Sequence, residues 1–145
     1  MTYSENALND LIYDAVIAVA PEATVTTRRE PFIGTGQAVY VRHRHAESRR
    51  HLLLDGSNEA FNWIVEISVY TSDPDSAVSQ AADIAGAVMS VLKNEFFRLD
   101  TYDPVDNIDP TIYRLEMRFE RYIGSGDEMV TEPTTEATTE QENTP

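Results

Sequence analysis

Three stretches of this chain carry a clear hydrophobic period. From Asn62 to Thr71 (NWIVEISVYT) apolar and mixed positions alternate, placing Trp63, Val65, Ile67 and Val69 on one face of a strand and Ile64, Glu66, Ser68 and Tyr70 on the other. Ile112–Ile123 repeats the pattern: Leu115, Met117 and Phe119 alternate with Arg114, Glu116, Arg118 and Glu120. Between them, Asp73–Leu92 reads as a helix with Asp73 as N-cap and Pro74 at the first helical position, where its missing N–H costs nothing. Its stripe is Val78, Ala81, Ala82, Ala85, Val88, Met89 and Leu92, and its alanines with Gly86 predict close approach to a sheet. An earlier helix follows from Leu8, Leu11, Ile12, Ala15, Val16 and Val19, capped by Ser4 or Asn6 and stopped by Pro21.

The remaining elements are less sharply marked. Ala23–Arg29 has strong β propensity, Gly34–Gly36 reads as a turn, and Gln37–His45 as the returning strand, with Val39 and Val41 on one face and Tyr40, Arg42 and Arg44 on the other. Residues 46–60 read as a long connection. Phe96–Tyr102 is a short strand and Asp103–Pro110 a turn with two Asp-Pro pairs. The order α-β-β-β-α-β-β predicts an α+β fold: an antiparallel or mixed sheet of about five strands with two helices on one face.

Length fits one domain, with a boundary at Gly124–Gly126. The 22 residues from Gly124 hold six carboxylates, six threonines and no Lys or Arg, a composition that predicts a solubilising, disordered tail. Removing those six acids from the net charge of −14 leaves −8 on residues 1–123. Such a balance argues against phosphate-driven DNA binding. The absence of cysteine excludes disulfides, thiolate catalysis and sulfur-ligated zinc, and suits a reducing cytoplasm. No apolar run reaches 18 residues, so no membrane partner is expected, and the acidic start lacks the basic region of a secretory signal.

Candidate chemistry is thin. His43 and His45 share a strand face near His51, but Arg42, Arg44, Arg49 and Arg50 would repel a cation, so a basic surface strip is the better reading. Asp103, Asp106 and Asp109 lack the glycine and closing glutamate of a calcium loop. No G-x-S-x-G elbow occurs, and Gly34-x-Gly36 is too short for a phosphate-binding loop. Neither enzyme chemistry nor a cofactor is expected. Six of the eleven basic residues (Arg28, Arg29, Arg42, Arg44, Arg49 and Arg50) fall within one segment of an acidic chain. With Leu52, Leu53 and Leu54 they form the candidate docking surface, the plainer alternative being a solvated hairpin.

Tyr3–Ala23 (YSENALNDLIYDAVIAVAPEA), Phe61–Asp75 (FNWIVEISVYTSDPD) and Asp106–Glu120 (DNIDPTIYRLEMRFE), in this order of elements, resemble the tail terminator (tail-completion) proteins of long, non-contractile-tailed bacteriophages. The likeness spans residues 3–123. It implies a non-enzymatic virion subunit without cofactor, assembled in the host cytoplasm, that forms a hexameric ring on the last tail-tube ring at the head-proximal end. That ring stops tube growth, meets the head–tail connector (neck) proteins and lets DNA pass without specific binding. Glu66, Glu116 and Glu120 are then candidate lumen-facing acids. The rival readings are a connector protein of the same phage, a tail-tube subunit, and a soluble non-enzymatic binding module.

Overall fold

A computed structural model describes residues 3–27, 36–47, 60–124 and 126–131. Arg28, Arg29, Arg49, Arg50, His51, Leu52, Leu53 and Leu54 lie outside the described residues, as does the acidic segment after Thr131. The elements are α1 (Glu5–Val19), β1 (Thr24–Thr26), β2 (Gln37–Glu47), β3 (Ala60–Thr71), α2 (Ala77–Asn94), β4 (Arg98–Val105) and β5 (Tyr113–Gly124). They build a mixed five-stranded sheet in the order β1-β2-β3-β5-β4, with both helices on one face.

β3 is the spine, paired antiparallel along its length with β2 on one side and β5 on the other. Val65 and Val69 are fully buried, Ile67 nearly so, and β5 lays Phe119, Met117 and Leu115 beside them in antiparallel register. Leu8, Ile12 and Val16 of α1 and Ala81, Ile84, Ala85, Val88 and Leu92 of α2 close the core from above. Ser4 is the N-cap of α1, its hydroxyl oxygen accepting the Ala7 N–H at 3.0 Å.

Several expectations are corrected. β1 pairs with β2 in parallel, Thr24 opposite Ala38, so the two strands are not the arms of a hairpin. α2 is regular only from Ala77, four residues later than predicted, although Asp73 still serves the entry turn: its carboxylate accepts the Asp75 N–H and its carbonyl the Ala77 N–H, both at 2.9 Å. Ile84 belongs to its buried stripe, whereas Val78 and Ala82 are exposed. Gly86 also faces solvent with no atom within contact distance of an added Cβ, so Ala81 and Ala85 alone allow the close helix–sheet approach. β4 starts two residues later than predicted and absorbs Asp103–Val105. The packed body runs past Gly124: Met129 is buried in the core cluster, and residues 126–131 lie against the end of α2.

Candidate functional site

The sheet face away from the helices carries mostly half-buried polar and charged side chains. Register brings the sequence-predicted residues together there: Arg42 lies opposite Glu66, Glu66 opposite Arg118, Arg44 opposite Ile64, and Ile64 opposite Glu120. Arg44 Nε lies 2.6 Å from Glu66 Oε1, and Arg118 Nε lies 3.5 Å from Asp100 Oδ2. Arg98 pairs with Glu120, and Arg114 with Glu116. On the same face Ile64 is only 4% exposed. Glu66, Glu116 and Glu120 therefore do share one face, but each is neutralised by a neighbouring arginine. Arg42 is exposed and has no ion-pair partner among the described residues, since Arg44 occupies Glu66.

His43 and His45 point to the helix side and bind α1, so they form no surface strip. His43 Nε2 lies 2.6 Å from Asn9 Oδ1, while its Nδ1 accepts the Trp63 indole N–H at 3.1 Å. That pair of partners requires the neutral ring with its proton on Nε2. Burial pushes the His43 pKa below its ordinary value, against a smaller upward pull from Glu5 and alongside a downward one from His45. His45 meets Glu5 at 3.0 Å and stacks obliquely on Trp63, ring centres 4.3 Å apart. Among the described residues no group of three His, Cys, Asp or Glu is arranged to hold a metal ion. Asp109 spends its carboxylate on the Thr111 N–H (3.0 Å) and hydroxyl (2.6 Å), which lower its pKa and fix the β4–β5 turn. That turn presents Ile108 fully to solvent beside an open cleft lined by Asp73, Pro74, Asp106 and Ile112.

The opposite end of the sheet holds residues that sequence reasoning missed. α2 closes in a Schellman turn, Phe96 N–H to Lys93 O and Phe97 N–H to Leu92 O, both 2.9 Å. The left-handed position is filled by Phe96 at φ 66°, where glycine would be unstrained; the ring is 68% exposed and lies under the Arg121 guanidinium. Glu95, 1% exposed, accepts the N–H groups of Val130 (2.8 Å) and Thr131 (3.1 Å). Arg121 fills the gap between Tyr3 and Phe96, donating to the Glu95 backbone carbonyl at 2.8 Å and to the Tyr3 hydroxyl. Burial raises the Tyr3 pKa, Arg121 opposing the shift. Tyr122 and Val130 are also exposed at this end. No periodicity announces Glu95 or Arg121; each acts alone at an element's end.

No protein-family profile and no curated protein sequence matches the chain. A chain from a solved structure titled "Virion of native gene transfer agent (GTA) particle" has the same fold. The TM-score is 0.53 at 17% identity, covering 83% of this chain and 96% of that one. At that identity the likeness establishes a shared α+β architecture.

Proposed function

We propose that this chain is a non-enzymatic virion structural protein that caps a tail tube as a ring, probed most simply as a hexamer. The supporting observation is the fold likeness to a chain of a gene transfer agent virion, which takes in almost the whole of that chain. The resemblance of Tyr3–Ala23, Phe61–Asp75 and Asp106–Glu120 to tail terminators refines it. Two physical features suit the role. An isolated sheet with one helical cover leaves a charge-paired face and edges for neighbouring subunits. An exposed aromatic, Phe96, held at a strained backbone position under Arg121 offers an anchor at one end of the subunit. The net charge of −14 keeps passing DNA from adhering to the assembly as a whole.

Particles made without this protein provide the test. Over-long, headless tails support the capping role. Normal-length tails beside DNA-filled heads reject it in favour of a connector, and unaltered particles reject a virion role altogether.

A further inference from the structure

At the end of α2 burial alternates along three residues: Glu95 is 1% exposed, Phe96 68% and Phe97 2%. Phe97 is held inward by the core cluster it joins. Glu95 is held inward by the chain beyond β5. That chain turns at Asp127, whose carboxylate accepts the Gly124 N–H at 2.8 Å, and seats Met129 in the same core. Each carboxylate oxygen of Glu95 then takes one backbone N–H, Oε1 from Val130 at 2.8 Å and Oε2 from Thr131 at 3.1 Å. Asn94, also at the end of α2, donates to the Thr131 hydroxyl at 2.8 Å. Residues 126–131 therefore form a strap fastened to α2 through Glu95 and Asn94.

Phe96 depends on the same fastening. Its left-handed backbone (φ 66°) is strained for an aromatic residue and persists only where the surroundings over-determine it. Those surroundings include Arg121 and the turn bonds from the Phe96 and Phe97 N–H groups to the Lys93 and Leu92 carbonyls. Arg121 reaches both sides. It donates to the Glu95 backbone carbonyl at 2.8 Å, lies 5.5 Å from the centre of the Phe96 ring and stands 3.6 Å from the Asp127 carboxylate of the strap. With the strap off, the Glu95 carboxylate loses two donors while still out of water, a state relieved by turning it to solvent. That movement rotates the peptide joining Glu95 to Phe96. Arg121 holds the carbonyl of that peptide, and its N–H closes the end of α2.

We infer that the strap and Phe96 are one two-state element: a seated strap presents the ring outward, and a released strap lets the turn that presents it come apart. The Phe96 anchor is thereby conditional on residues 126–131. By linkage, a partner that grips the presented ring tightens the strap by the same factor. The consequence for docking rests on the reading of Phe96 as an anchor, whereas the coupling is a property of the free chain.

Native-state hydrogen exchange on the full chain, followed by NMR at low urea, tests the coupling without a substitution. The Phe96, Phe97, Val130 and Thr131 amides should share one opening constant and one urea slope, opening more often than Val65 and Ile67 of β3. Opening constants that differ by more than about tenfold between strap and turn, in either order, overturn the inference. Val130→Pro removes one donor to Glu95, while Val130→Ala keeps it and trims only an exposed side chain. Val130→Pro should speed exchange at Thr131, Phe96 and Phe97 alike by about tenfold, the effect of one bond to a charged group. Val65 should not change, and Val130→Ala should match the parent. Faster exchange at Thr131 alone overturns the inference. If Val65 also speeds up, the variant is opening globally and the unmodified chain decides. Capping of tail tubes separates the coupling from the proposed function. Val130→Pro should need about tenfold more protein than Val130→Ala to shorten tubes equally, and equal potency overturns the conditional anchor. A parent chain that caps no tubes removes the proposed function and leaves the exchange result standing.

Discussion

Glu95 offers the sharpest test of how the end of the subunit is held. Its carboxylate is almost wholly out of water and accepts two backbone N–H groups from Val130 and Thr131. Hydrogen bonds to a charged group contribute about 1.5–3 kcal/mol each, and an orphaned buried N–H costs about 1–3 kcal/mol. Glu95→Gln keeps the shape but turns an NH₂ toward one of those amides, losing one bond and opposing two donors. We expect a loss of about 2–3 kcal/mol for Gln and about 3–5 kcal/mol for Ala, against a total stability of about 5–15 kcal/mol for a small domain. Urea unfolding followed by Trp63 fluorescence measures both, as a lower midpoint at unchanged slope. Hydrogen exchange should show faster exchange first at Val130 and Thr131. A Glu95→Gln protein within about 0.5 kcal/mol of the parent would refute the reasoning, because the two short bonds could not then be holding the chain end.

Other predictions follow from single contacts. His43 has a folded pKa depressed below 6.5, so the unfolded chain binds the extra proton and stability falls as pH drops through that value. His43→Gln, which still donates and accepts, should flatten this slope in unfolding curves between about pH 7.5 and 5. Phe119, fully buried opposite Val65, should cost about 3–5 kcal/mol on truncation to Ala by denaturant unfolding. Phe96→Gly relieves a left-handed aromatic, worth about 1 kcal/mol, and loses the Arg121 contact. Its stability should therefore match or slightly exceed the parent's while assembly weakens. A stable variant that assembles normally would dismiss Phe96 as an anchor.

How much was legible in the sequence depended on period. β3 and β5 were placed to within two residues because one face of each is uniformly apolar, and α1 because Ser4 is a competent cap. The start of α2 was placed four residues early because Asp73 and Pro74 carry the signals of a helix entry, and the bonds of Asp73 to Asp75 N–H and Ala77 N–H do form, but regular helix begins only at Ala77. Parallel pairing of β1 leaves no trace in three residues of strand. For the surface, alternation correctly grouped Arg42 and Arg44 on one face and Glu66, Glu116 and Glu120 on one face. It could not show that these are opposite members of the same ladder, since that depends on register across three strands. Glu95, Phe96 and Arg121 were missed because isolated residues at element ends carry no periodic signal.

The central claim is that this subunit closes a growing tube. Purified chain added to polymerising tail-tube protein, with tube lengths measured by electron microscopy, tests it most directly. The account predicts tubes shortened in proportion to the amount added, each with a ring of this protein at one tip. Tubes of unchanged length with the protein bound nowhere, or bound along their sides, would contradict it.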